Sequence, residues 1–158
     1  LTDPVFDEIE DINDYVAKVK TGVLWQLFIF STNQVNSEKY ISISELCDAL
    51  LVNNGNKWGL LDKFGNTIIP PKYDRLLNLA DSQYLISENA NLKGIITTAG
   101  NVLAECKFDK ILGYNNGRVV FHINSSGFGV FCLYDQSERV LDFQEITYLG
   151  YDLIGVYS

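Results

Sequence analysis

An aromatic residue followed three positions later by an aliphatic one recurs along this chain at nearly constant distance, and no other feature restricts its fold as much. The pair stands at Phe6 with Ile9, Tyr40 with Ile43, Tyr73 with Leu76, Phe108 with Ile111 and Phe143 with Ile146, in steps of 34, 33, 35 and 35 residues. A second marker keeps the same period: Trp25-Gln26, Trp58-Gly59, Lys93-Gly94 and Phe128-Gly129, spaced by 33, 35 and 35. Self-similarity at a period of roughly 20 to 50 residues marks stacked structural repeats, in which no unit buries its apolar face alone.

The segments between the markers have the chemistry of short strands. Each aromatic step is followed by an apolar run, "YVAKV" (15–19), "ALLV" (49–52), "QYLIS" (83–87), "RVVFHI" (118–123) or "DLIGVY" (152–157), rich in β-branched and aromatic residues. Turn residues then come at matching places: "KTG" (20–22), "NNGN" (53–56), "NANL" (89–92) and "NSSG" (124–127). Asn54-Gly55 predicts a type I′ hairpin, whose two central residues both need positive φ. The Trp-Gly strand closes on a second turn, "KFGN" (63–66) or "TAGN" (98–101), and "TIIPPKYDRL" (67–76) reads as one longer returning strand. Pro70 and Pro71 cannot donate to a ladder, so that strand is expected at an edge or bulge. Gly59 is expected where another backbone or a ring comes close, and no segment sustains a helical period; "SELCDALLV" (44–52) comes nearest, and its place in the repeat argues for strand.

These features predict an all-β chain of about four three-stranded antiparallel meanders in an open solenoid-like array, with a closed propeller-like ring as the alternative. We read 1–158 as a single domain with repeats at 6–39, 40–72, 73–107 and 108–142 and a partial copy at 143–158. At 158 residues it is long enough to bury a core without staples. The 9 Phe, 9 Tyr and 2 Trp suit strands.

In the best-preserved copy the sequence resembles the bacterial WG-repeat family: Trp58, Gly59, Asp62, Gly65, Ile69, Pro70, Tyr73 and Asp74 match the family pattern. The third copy keeps Gly94, Gly100, Phe108 and Asp109 but has Lys93 for Trp; the first keeps Trp25 and has Gln26 for Gly; the fourth keeps Phe128-Gly129 and Phe143. The resemblance implies tandem β-repeats within large bacterial proteins, joined to other domains. It brings no catalytic residues with it.

A net charge of −8 disfavours nucleic acid and anionic membranes as partners, since both are held chiefly by Lys and Arg. The apolar runs are too short to span a bilayer. The chain contains no Met, even at residue 1, which leads us to expect a processed chain or a piece of a longer one, its compartment left open. Cys47, Cys106 and Cys132 have no CxxC spacing and cannot all pair internally; Cys106 and Cys132, in apolar runs, are expected as buried free thiols.

Enzyme signatures do not emerge. His122 is the single histidine, no phosphate-cradling loop or nucleophile elbow occurs, and Asp62, Asp74 and Asp109 fall at turn positions. A hydrolase would need two of these carboxylates facing each other about 5 to 10 Å apart in a concave pocket. No cofactor or metal is expected. Asp3, Asp7, Glu8, Glu10, Asp11 and Asp14 form an acidic opening that precedes any base. We therefore expect a non-catalytic protein-interaction or scaffolding module of a larger bacterial protein, its partner contacting Asp7, Glu8, Glu10, Asp11 and Trp25. Trp58, Gly59, Gly65, Pro70 and Tyr73 serve the repeat itself. The alternative is a carbohydrate or cell-envelope binder that stacks sugar rings on exposed Trp25, Trp58 or Tyr side chains; it loses its main support if both tryptophans are buried.

Overall fold

The structure is a computed structural model that describes residues 5–46, 48–80, 83–141, 145–148 and 154–157. Asp3, Cys47 and the fifth marker aromatic, Phe143, lie outside the described residues.

All regular structure among the described residues is β. Strands β1 (Glu8–Asp11), β2 (Val16–Thr21), β3 (Leu24–Ile29) and β4 (Gln34–Val35) form the first sheet. The second holds β5 (Ser42–Leu46), β6 (Ala49–Asn53), β7 (Trp58–Asp62) and β8 (Thr67–Tyr73). The third holds β9 (Arg75–Ala80), β10 (Tyr84–Asn89), β11 (Leu92–Thr97) and β12 (Val102–Phe108). The fourth holds β13 (Lys110–Asn115), β14 (Arg118–Ile123), β15 (Gly127–Cys132) and β16 (Glu138–Leu141), and β17 (Glu145–Tyr148) pairs with β18 (Ile154–Tyr157). Strands follow chain order in every sheet, so each is an open antiparallel meander.

The period therefore carries four strands, one more than the sequence suggests. The segment read as one returning strand is two: β8 closes the second sheet at Tyr73, and after a bend at Asp74 the chain opens the third sheet as β9. The same joint follows Phe108, at Asp109. At these joints the aromatic ends the outer strand of one sheet and the aliphatic residue three places on lies in the first strand of the next, which explains why the two markers travel together.

The hairpin geometry also departs from expectation at one turn. Asn54 does not take positive φ; a four-residue loop joins Asn53 to its cross-strand partner Trp58. Asparagine side chains shape it: Asn53 Oδ1 accepts the Gly55 N–H at 2.7 Å, and Asn54 Oδ1 accepts the Asn56 and Lys57 N–H groups at 3.1 and 2.9 Å. Such local side-chain bonds offer the backbone an alternative to the tight turn. Paired left-handed residues occur instead at Ala90-Asn91 (φ 50° and 68°) and Asn116-Gly117 (φ 47° and 73°).

Two compact units divide the chain, residues 1–76 with 98–100 and residues 77–97 with 101–158. In the first, Val16 and Leu27 pack with Tyr40, Ile43, Leu50, Val52 and Leu61. In the second, Phe108, Phe121 and Phe131 pack with Ile95, Ala104, Val119 and Leu133, the rings of Phe108 and Phe121 stacked at 4.3 Å. Inner strands such as β6 are buried on both faces, so "ALLV" shows a run rather than an alternation. Pro70 and Pro71 lie on β8, the edge of its sheet, beside register shifts in its pairing with β7.

Gly59 faces that irregular edge. A Cβ there would lie 2.7 Å from the Ile69 carbonyl oxygen and 2.7 Å from the Pro71 nitrogen. Gly94 repeats the arrangement one period later, 2.6 Å from the Ala104 carbonyl oxygen. In the second and third copies the motif glycine is thus the place where the outer strand bulges onto its neighbour.

Candidate functional site

The acidic opening folds as β1, antiparallel to a basic strand. Register sets Glu8 opposite Lys20 and Glu10 opposite Lys18, and both pairs close as ion pairs, at 2.8 and 2.6 Å. The two ammonium groups also stand over the Trp25 ring, 4.6 Å (Lys18) and 5.0 Å (Lys20) from its centroid. Asp7 accepts the Gly22 N–H at 2.6 Å, clamping the β2–β3 turn. Asp109 does the same three periods later, accepting from Asn124 fifteen residues on. Of the residues expected to meet a partner, Asp7, Glu8, Glu10 and Trp25 are thus joined in an internal network; Asp11 ends the strand, exposed, opposite Ala17.

This network has a testable pH signature. The hydrogen bond from Lys20 lowers the Glu8 carboxyl below its ordinary range, and Glu8 in turn raises Lys20. A lowered carboxyl contributes stability above its unfolded pKa and loses it as pH falls through the folded value. Both groups are exposed, so the effect is small and screened. We expect Glu8→Gln to abolish the small part of the acid-side stability change that belongs to Glu8, seen in thermal melts at low salt. High salt should shrink the difference between variant and wild type at neutral pH.

A second site emerges where the first two meanders meet. Asp62 builds the β7–β8 turn: its Oδ1 accepts the Phe64 and Asn66 N–H groups at 2.9 and 2.8 Å, and its Oδ2 accepts from Asn66 Nδ2 at 2.9 Å. Gly65 follows with φ 89°, and a Cβ there would stand 2.9 Å from Ile29 Cδ1, so the turn lies directly on β3. Asn13 Nδ2 ties the turn down through the Lys63 carbonyl at 3.3 Å. Phe64 is consequently presented beside Tyr15, ring centroids 4.6 Å apart and edge to face.

Tyr15, Phe30 and Phe64 are 43, 42 and 46% exposed. With Asp14, Ile29 and Ser31 they line an open cleft of about 440 Å³. The Lys63 ammonium lies 5.6 Å from the Tyr15 ring and 5.5 Å from the Phe64 ring, so these ring faces already attract a cation. Aromatic side chains supply rigid contact area with little entropy to lose, the quality of interface anchors. Sequence reading missed this cleft, although a phenylalanine inside the polar turn "KFGN" serves no turn geometry and was the available signal.

The remaining expectations distribute as follows. Trp58 and Trp25 are both half-buried, and Trp25 packs on the first unit's core. Gly59, Gly65, Pro70 and the buried Tyr73 take the repeat positions described above. Asp74 forms an ion pair with Lys57 at 2.6 Å. The three aspartates considered for a hydrolase thus each have a structural partner. His122 packs against Phe128 at 4.7 Å, and its buried Nδ1 has no hydrogen-bond partner among the described residues. Cys106 and Cys132 are free thiols, half-buried rather than buried. Among the described residues, no three His, Cys, Asp or Glu side chains gather as a metal site, and no helix is long and apolar enough to cross a membrane.

A family model described as WG containing repeat matches residues 58–82 and 94–125. No curated protein matches the chain. Among solved structures it is similar to Kluyveromyces lactis Hsv2p, with 14% identity, a TM-score of 0.42, and 83% of this chain and 48% of that one covered. A segment of HIRA gives 12% identity, a TM-score of 0.43 and coverage of 81% and 52%. The N-terminal domain of Nup159 gives 13%, 0.40, and 86% and 43%. The chain spans about half the length of these structures.

Proposed function

We propose that this chain, which belongs to the WG-containing repeat family through residues 58–82 and 94–125, is a non-catalytic protein-interaction or scaffolding module of a larger bacterial protein. The observation that carries this reading is the cleft of Tyr15, Phe30 and Phe64, three half-exposed aromatic rings, with Phe64 held in place by the repeat turn at Asp62 and Gly65. Its occupant is a basic segment of a partner protein. Asp14 lines the cleft, and the chain carries a net charge of −8. A lysine or arginine with a neighbouring apolar side chain satisfies the carboxylate and the rings together. The sugar-binding alternative leaned on the tryptophans, and it is weakened by Trp25 lying against the core with two ammonium groups over its ring.

The test compares affinity capture from bacterial lysate by the wild type, Phe64→Ala, Phe30→Ala and the control Val23→Ala, which lies outside the cleft. Truncating an interface anchor costs at least about 2 kcal/mol of binding, or roughly thirtyfold in affinity. We expect one protein to be retained by wild type and Val23→Ala, lost from both Phe variants, and contacted through a basic segment. Capture that ignores the Phe substitutions, or retention of glycan in place of protein, overturns the proposal.

A further inference from the structure

The fourth sheet gathers positive charge that nothing else in this acidic chain explains. Only three arginines occur in the sequence, Arg75, Arg118 and Arg139, and two of them line one cleft of about 300 Å³ together with Val130, Cys132, Ser137 and Leu141. Register places them there: Arg118 on β14 stands opposite Cys132, and Arg139 on β16 stands opposite Val130. Cys132 and Val130 are two residues apart on β15 and share a face, so the arginines flank the same strip of β15 from either side, each one strand spacing of about 4.8 Å away.

Both guanidinium groups are exposed and make no ion pair among the described residues. The ion pairs found there use Lys18, Lys20, Lys57, Lys93 and Lys107 instead. Carboxylates do stand close in sequence, but they are engaged. Glu138 pairs with Lys107. Asp135 accepts the Ser137 N–H at 2.9 Å and the Ser137 hydroxyl at 2.6 Å. These donors hold its carboxyl at about 2, ionised and committed to the turn. In a chain with 20 carboxylates and 12 basic residues, two arginines left unpaired in one concave place call for a ligand from outside.

Arginine is the side chain suited to this, because its planar fork binds carboxylate or phosphate oxygens through two parallel hydrogen bonds. Between the forks lie the half-buried Val130 and Cys132 side chains, with Leu141 two residues beyond Arg139 on β16 and Ser137 also lining the cleft. The Cys132 thiol donates to the Asp135 carboxylate, while Val130 and Leu141 supply the apolar part. The volume lies at the small end of ligand pockets. We propose that this cleft binds a small organic oxyanion, a carboxylate or phosphate monoester carrying a short apolar group. The inference is independent of the aromatic cleft, which shares no residue with it.

Amide NMR titration of the full chain tests it, with benzoate and phenyl phosphate as probes for the two headgroups and inorganic phosphate as a probe without the apolar part. We expect saturable shifts centred on Arg118, Val130, Cys132 and Arg139 for at least one organic probe, with inorganic phosphate weaker. A hydrogen bond to a charged group is worth enough that Arg118→Gln or Arg139→Gln should each weaken binding about tenfold or more. Spectra unchanged outside the cleft would show that these surface variants fold. The probe that saturates at the lower concentration assigns the headgroup. The proposal is overturned by the absence of saturation with either organic probe, by shifts spread over all basic residues, or by binding that survives both Gln variants. Full affinity in an Arg118→Lys, Arg139→Lys double variant would overturn the role of the guanidinium forks.

Discussion

Gly59→Ala should destabilise the fold by about 3 kcal/mol, the upper part of the range for forcing atoms into a packed site. The new methyl would meet the Ile69 carbonyl oxygen and the Pro71 nitrogen, both at 2.7 Å. These are backbone atoms of a proline-stiffened bulge, and neither can swing aside as a side-chain terminus would. Gly94→Ala should behave alike, since its Cβ would face the Ala104 carbonyl oxygen at 2.6 Å. Gly127 is the control, because a Cβ there meets nothing within 4 Å although its φ is 80°. Its replacement by Ala should cost only the left-handed penalty, about 1 to 2 kcal/mol. Urea unfolding of the three variants checks the order. Equal losses at all three positions would contradict the assignment of Gly59 and Gly94 to close backbone approach.

Phe108→Ala should lose about 3 to 5 kcal/mol, the usual cost of emptying a buried phenylalanine site. Phe108 is fully buried, stacked on Phe121 and in edge contact with Phe131. It also ends β12 at the joint to the next sheet, so the cavity opens where two meanders share their core. Phe108→Leu keeps most of the volume and should cost less than half as much. Val23→Ala, at a side chain 80% exposed, should change the urea midpoint little. A Phe108→Ala midpoint close to that of Val23→Ala would contradict the assignment of the repeat aromatic to the core.

The period was readable because its markers have physical jobs that more than one copy repeats. Tyr73 and Phe108 close a sheet, Gly59 and Gly94 admit a bulge, and Asp7 and Asp109 clamp the following turn. The fourth strand was hidden because the joint is a single bend at Asp74, after which the chain resumes extended structure with a new partner strand. Asn54-Gly55 misled because its asparagines bond locally, which composition cannot distinguish from a tight turn. That the acidic opening pairs with Lys18 and Lys20 depends on strand register, which shows only once β1 is placed. Both clefts were illegible for a related reason. Tyr15 and Phe30 come from the first meander and Phe64 from the second, and Arg118 and Arg139 meet across an intervening strand.

The most direct test of a protein-binding aromatic cleft is site-specific photo-cross-linking in cells. A photoreactive phenylalanine analogue is placed at position 64 in one version of the chain and at position 112, exposed on the fourth sheet, in another. We expect position 64 to trap one protein partner through a segment rich in lysine or arginine, and position 112 to leave it untouched. Trapping of the same partner from both positions, or none from position 64, would contradict binding at the cleft of Tyr15, Phe30 and Phe64.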